Sequence, residues 1–436
     1  MNSLVANTAA SLLMLALSGC SLMSQKPLSP QIAPGSASRP VLSAEEASQF
    51  TMERYFAANG LLASPTPDPW LPVAIYLDST PDFVVGKGGS HASVQEAVNA
   101  AIHKGKAVRQ FIKILPGTYT GAVYVPISAP PITLIGAGSK PADVKLELTL
   151  DAIVLPAVYA QTVNPAGQFK EGDPAWEMFK ACADLPGGKK IDTPCSAVVW
   201  AQSPGFQIAN LTITNTLLDS VDGGTHQAVA LRTDGDKTQL ENVRLIGRQD
   251  TFLANVGEAP TIPNKLGTYP TDRIARVYVK DSYIEGDTDF VFGRAHAVFD
   301  NCQFHIVASR QNRPAIVFAP DTLADSALGF LVVNSRFTGD AAHQALGTSF
   351  LGRSWDQGAS GTGYLMGSTP NGQLVIRDSY IDASFSINTP WDRAATTTRM
   401  HSGNANPARD LDDAGFNRLW EFNNFGPGAG PATAVK

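Results

Sequence analysis

The sequence is poor in cysteine, in clustered positive charge and in long apolar runs, and each shortage removes a class of protein. Only 4 cysteines occur among 436 residues, at positions 20, 182, 195 and 302. None sits in a Cys/His cluster with ligand spacing, so we expect no metal site. No run of Lys or Arg is present and the formal net charge is -6, which argues against a nucleic-acid binder, since gripping a phosphate backbone needs a basic face. A local basic groove remains compatible with that balance. No G-x-S-x-G occurs, which removes the strained serine elbow of many hydrolases. Gly136-Ala-Gly-Ser-Lys140 is too short for a phosphate loop and reads as a turn.

What the chain does have is turn formers, 38 Gly and 30 Pro, between many short Val/Ile/Leu/Phe runs. That composition predicts a β protein rather than a helical one. The length suits two or three ordinary domains or one elongated β architecture.

Residues 1–19 read as an export signal. Residues 9–17 form an apolar core too short to span a bilayer, and Leu17-Ser-Gly-Cys20 resembles a bacterial lipobox. The first seven residues lack the usual positive charge of such signals. Cys20 is then the lipidated N-terminus, and Ser21 after it suggests the outer membrane of a Gram-negative bacterium. Residues 20–70, rich in Ser, Pro, Ala and Gln, read as a tether with one short helical stretch near residues 44–58. The folded domain is expected over 71–436. In an exported protein Cys182 and Cys195, which bracket a Pro/Gly-rich loop, can close as a disulfide worth about 3 kcal/mol through loop entropy. Cys302, in an apolar run, reads as a buried free thiol.

Ser93-Val-Gln-Glu96 is a capping box, and Val94, Ala97, Val98, Ala101 and Ile102 make a helical stripe, so an amphipathic helix near the start of the domain is predicted to cover an open end. A recurring phrase follows, an Asn or Asp two or three positions before a strand residue: Asn210-Leu-Thr-Ile213, Asn242-Val-Arg-Leu245, Asp281-Ser-Tyr-Ile284, Asn301-Cys-Gln-Phe304, Asn334-Ser-Arg-Phe337 and Asp378-Ser-Tyr-Ile381. Its irregular recurrence suits a solenoid with loops of varied length, and a β-sandwich with similar turns is the other architecture it allows. Residues 151–200 read as an excursion from that stack.

Four segments carry chemistry. Glu285-Gly-Asp-Thr-Asp-Phe-Val-Phe-Gly293 sets carboxylates among apolar strand formers, where ionisation is costly unless stabilised. Asp289, held rigidly and weakly solvated, suits a nucleophile, and Arg353 can fork onto it. Asp250 supplies a second carboxylate, and two in one pocket push their pKa values apart, as acid/base work requires. Gln227 and Gln249 offer neutral amide donors for an oxyanion. Trp355, Phe252 and Phe292 offer flat faces for a sugar ring, and each is equally suited to core packing.

Gln227-Ala-Val-Ala-Leu231, Gly247-Arg-Gln-Asp-Thr-Phe252, Asp289-Phe-Val-Phe-Gly293 and Leu351-Gly-Arg-Ser-Trp355 resemble, in order, the four central motifs of the pectin methylesterase family. Gly117-Thr-Tyr119 is similar to its opening motif and Arg418-Leu-Trp-Glu-Phe-Asn-Asn-Phe-Gly-Pro427 to its closing one. The resemblance implies an all-β, right-handed parallel β-helix with a short N-terminal capping helix, acting without cofactor as a monomer on pectin or methylated oligogalacturonides. It further implies Asp289 as nucleophile, Asp250 as acid and then base, Gln227 and Gln249 as oxyanion donors, Arg353 as the partner of Asp289, and Trp355 as a sugar platform.

The sequence departs from that pattern beside the chemistry. Ser354 stands where Pro is common, which is expected to loosen the backbone next to Arg353; Thr288 replaces Val; and Asp287 adds a carboxylate. In a regular strand Asp287 shares a face with Asp289 and raises its pKa, whereas a bend turns it to solvent. Two other functions fit parts of the pattern: a β-helix lipoprotein that binds anionic oligosaccharides without turnover, and a glycosidase using Asp250 and Asp289. The glutamines favour carbonyl chemistry over the latter.

Overall fold

The computed structural model describes residues 33–105, 107–256, 273–308, 310 and 314–430. The signal segment and Cys20 lie outside these residues.

Three parallel sheets carry the fold, of ten, eight and seven strands. Successive passes of the chain add one strand to each in turn. One pass contributes Thr238–Glu241, Arg244–Ile246 and Phe252–Ala254 to the ten-, eight- and seven-stranded sheets respectively, and the next contributes Arg276–Lys280, Tyr283–Gly286 and Val291–Gly293 in parallel register. Alternate residues of each strand point into a shared interior. Leu245, Ile284, Phe304 and Phe337 are in register on one interior row, and none is measurably exposed. Phe299, Phe304, Phe318 and Phe330 meet edge to face between the sheets. Each row therefore buries its apolar surface both along its own sheet and against the rows of the other two sheets, in one shared core.

The recurring Asn/Asp phrase has a backbone cause. Asn210, Asn242, Asp281, Asn301, Asn334 and Asp378 all take φ between 50° and 54°, at the corner between the ten- and eight-stranded sheets. Asn and Asp tolerate the left-handed region because their short side chains bond locally. Here they also bond along the stack: the Asn242 amide donates to Asn210 Oδ1 at 3.0 Å and the Asn301 amide to Asp281 Oδ1 at 2.5 Å.

The expected amphipathic helix spans Val94–His103, with Ser93 as N-cap and the reciprocal Glu96 bond in place. Val94, Ala97, Val98 and Ala101 belong to the main core. The expected excursion leaves the sheets as two helices, Pro156–Val163 and Trp176–Ala183, and ends short of residue 200, since Val199–Ala201 is a strand of the seven-stranded sheet. A disulfide joins Cys182 to Cys195, and Cys302 is a buried free thiol. The excursion packs by its rings: Phe169 stacks on Tyr124 at 5.1 Å and on Phe179 at 5.5 Å, and the Tyr124 and Tyr159 hydroxyls meet at 2.8 Å.

The tether expected to reach residue 70 is shorter than the sequence suggested. Leu42, Ala47, Phe50, Tyr55 and Phe56 pack onto a row on the outer face of the ten-stranded sheet made by Tyr278, Val298, Leu331, Val375 and Trp420. Arg276, fully buried, fixes the segment by pairing with Asp68 at 2.7 Å and Asp236 at 2.6 Å. The local composition is polar enough to read as linker, but five spaced apolar residues meet a sheet face that would otherwise be wet. Phe56→Ala is therefore expected to cost about 3 kcal/mol in chemical denaturation, whereas a true tether residue would cost nothing.

Candidate active site

Two successive passes kink at the same point. Gln227, Gln249 and Thr288 bridge one another in parallel where the chain crosses from the eight- to the seven-stranded sheet. The residues after the last two, Asp250 and Asp289, adopt φ of 66° and 48°. That left-handed twist breaks strand alternation, which is how a carboxylate is placed between apolar neighbours without joining the interior row. Gly286 permits the tight approach, since a Cβ there would lie 2.4 Å from Arg248 O and 2.3 Å from Phe290 Cβ. The Asp250 N–H donates to Thr288 O at 3.0 Å, tying the two carboxylate-bearing turns one rung apart.

Asp289 and Arg353 form a two-pronged pair: Nε donates to Oδ1 at 2.9 Å and Nη2 to Oδ2 at 2.5 Å. Arg353 is placed by its own N–H, which donates to Phe318 O at 2.9 Å, and Asp392 lies 3.9 Å from its other terminal nitrogen. Among the described residues Asp250 has no such cation in contact. Burial, and then the neighbouring Asp289 charge, push its carboxyl well above the usual carboxylate range, against the opposing pull of Arg353. The site thus holds one clamped carboxylate beside one that resists ionisation.

The Gln249 amide is oriented by the His226 N–H, which donates to Oε1 at 3.1 Å and leaves the NH2 end for another acceptor. His226 is itself held by Asp151 at 2.6 Å and Asp222 at 3.3 Å. The adjacent Gln227 accepts through its backbone carbonyl from Ala152 N–H at 3.0 Å, at the root of the disulfide-bearing excursion. His226, Asp151 and Asp392 were not singled out from sequence. His226 directly precedes Gln227, which was the available signal; the other two come from remote segments and carried none.

Of the three rings expected to face substrate, the structure separates one. Phe252 lies in register with Leu231, Val291 and Phe318 on the interior row, is fully buried, and meets Phe299 edge-on at 6.3 Å, so it is a core residue and no sugar platform. Phe292 is in register with Leu253 and Ala319 on the other face and lies 5.9 Å from the half-buried Trp355, whose indole N–H donates to Thr396 Oγ1 at 3.2 Å.

The neighbours that depart from the family pattern behave differently from both expectations. Asp287 neither faces solvent nor acts as a bare charge beside Asp289. It is buried and paired with Arg310, Nε to Oδ2 at 2.9 Å and Nη2 to Oδ1 at 3.1 Å, while Arg310 also reaches the carbonyls of Asp222 and Gly224. Ser354 does not loosen the backbone beside Arg353: its buried hydroxyl donates to Asp356 Oδ1 at 3.0 Å and accepts from Gly372 N–H at 2.9 Å. Among the described residues no group of three or more His, Cys, Asp or Glu could hold a metal ion.

The pectinesterase family model matches residues 268–370. Pectinesterase B of Dickeya dadantii (strain 3937) is 55% identical over 398 residues, covering 89% of this chain and 90% of that protein. Among solved structures, Escherichia coli YbhC superimposes with a TM-score of 0.81 at 45% identity, covering 93% of this chain and 99% of that one. The rice weevil pectin methyl esterase gives 0.79 at 39% identity, covering 91% and 100%. With the sequence motifs gathered around one pair of unlike carboxylates and this extent of likeness, the chain belongs to the pectinesterase family.

Proposed function

We propose that the protein hydrolyses methyl esters of galacturonate units in pectin or methylated oligogalacturonides, on a right-handed parallel β-helix whose first coil is closed by the helix Val94–His103. The observation that carries this reading is the contrast between Asp289, gripped by Arg353, and Asp250, whose ionisation burial opposes. A general acid must start protonated, which the burial of Asp250 favours, and a nucleophilic carboxylate must be held in place, which the Arg353 fork does for Asp289.

Asp289 attacks the ester carbonyl carbon, and the oxyanion of the tetrahedral intermediate is received by the amide N–H groups of Gln227 and Gln249. Asp250 gives its proton to the departing methoxide, which leaves as methanol, and an anhydride joins Asp289 to the sugar. Asp250, now ionised, takes a proton from water as that water attacks the anhydride. Collapse releases the free acid and returns Asp289 to Arg353. Trp355, beside Phe292, is the ring we assign to contact sugar. Methanol release from pectin and from methylated oligogalacturonides, run side by side, tests the reading; no release from either substrate by folded protein refutes it.

The lipobox-like Leu17-Ser-Gly-Cys20 supports an anchored form in the outer membrane of a Gram-negative bacterium, and we take the protein to act as a monomer. Cys20→Ser is expected to move most of the protein from the membrane to the soluble fraction on ultracentrifugation. An unchanged distribution would remove the anchor.

A further inference from the structure

The three sheet faces are used unequally. The outer face of the ten-stranded sheet is covered by residues 42–70, and the seven-stranded sheet leads into the active site and packs the excursion. The eight-stranded sheet keeps an open face holding a groove of about 470 Å³.

One outward row crosses that face in unbroken register: Arg244, Tyr283, Gln303, Arg336 and Tyr380. The Arg244 guanidinium lies over the Tyr283 ring at 4.3 Å and that of Arg336 over Tyr380 at 4.6 Å. Stacking holds each guanidinium flat against the wall while leaving its N–H edge open. Among the described residues neither guanidinium has a carboxylate within ion-pair distance. The acid that lines the groove, Asp281, is held by the Asn301 amide at 2.5 Å and lies 3.8 Å from Lys280. Two preorganised cations facing water in a chain of net charge -6 are a local exception to the protein's balance.

We infer that this groove is a second carbohydrate site, which binds a de-esterified uronate run of the polymer. Neighbouring strands recur about every 4.8 Å, so Arg244 and Arg336, three rungs apart, stand roughly 14 Å from each other. A single monosaccharide cannot bridge them, whereas several linked uronates, each with one carboxylate, can. Between them the Gln303 amide nitrogen donates to Thr338 Oγ1 at 3.0 Å, and its carbonyl oxygen is left to accept from a sugar hydroxyl. Ester hydrolysis at the active site makes the carboxylates this row selects, and the strands of Arg244 and Tyr283 run directly into the turns bearing Asp250 and Asp289. The groove therefore holds already processed chain beside the site that processes it. The inference rests on the substrate class proposed above.

The test is calorimetric titration of the full-length protein with de-esterified and with fully methyl-esterified oligogalacturonate, on wild type and on Arg244→Ser/Arg336→Ser. The double variant is expected to bind the de-esterified oligomer about tenfold more weakly, with wild-type binding that falls as salt is raised. KM for partly esterified polymer should rise while kcat on short methylated oligomers stays unchanged. Exposed Arg336→Glu serves as a second variant if the double one has a lowered Tm. Equal affinity of wild type and variants, equal affinity of wild type for the two oligomers, or tighter binding of a sulfated polyanion than of the uronate would each overturn the site. Absence of methanol release would sink the proposed esterase activity and leave this binding comparison standing.

Discussion

Replacing Asp289 with alanine should lower methanol release by about 10⁴-fold or more, because it removes the group proposed to form the covalent intermediate. The structural reason is the two-pronged grip of Arg353, at 2.9 and 2.5 Å, which fixes both oxygens of a buried carboxylate in one orientation. The fold should survive the change, since Asp289 lies in a turn outside the interior rows, and Arg353 keeps Asp392 nearby. Activity within a few-fold of wild type would remove Asp289 from the nucleophile's role. The same variant retaining affinity for the oligosaccharide would separate loss of chemistry from loss of binding.

Asp250→Asn should have the next largest consequence, and its two readouts move in opposite directions. The amide cannot give a proton to methoxide or take one from water, so turnover is expected to fall by about 10²- to 10⁴-fold. Wild-type activity should decline as pH rises through the raised pKa of Asp250, and the variant's residual activity should lack that decline. Stability follows the same proton. The folded pKa is raised above the ordinary 3.8, so the native state is not penalised below that pH and progressively loses stability as pH rises from there through the folded value. Asparagine never ionises. The variant should therefore melt higher than wild type at neutral pH and show no advantage below about pH 3.8. Equal melting temperatures at both pH values would mean that burial does not suppress ionisation at this position.

Both predictions describe a site that stores unfavourable electrostatics on a stack able to tolerate it. Three long parallel sheets distribute their burial over many equivalent rows, so one turn can carry a destabilising carboxylate at modest relative cost. The Asp287–Arg310 pair extends that arrangement: a second acidic side chain in the same turn is matched by its own guanidinium, which also engages the backbone of the loop leading to His226.

Much of this was legible in the residues themselves. The four polar segments, the capping box before Val94, the paired cysteines and the Asn/Asp phrase are local codes. Each depends on a few consecutive residues with a fixed backbone preference, and a left-handed Asn reads the same whatever packs on it. Tertiary structure alone decided whatever depends on which distant row a residue meets. Phe252 belongs to the core because register aligns it with Leu231 and Val291, and sequence cannot say which parity of a short strand points inward once a kinked aspartate has interrupted the alternation. Residues 42–70 fold because a sheet face formed from five later passes receives them, and a polar-looking segment gives no sign of that distant surface. Ser354 and Asp287, each expected to disturb the site, are satisfied by Asp356, Gly372 and Arg310, partners brought together by packing rather than by proximity in the chain. The sequence by itself determined which polar groups the chain offers for chemistry and where the chain turns, because those are properties of residue type and short-range backbone geometry. Which carboxylate is clamped, which is kept from ionising and which sheet face stays open were decided by long-range contacts, since solvation and charge pairing are properties of a place in space.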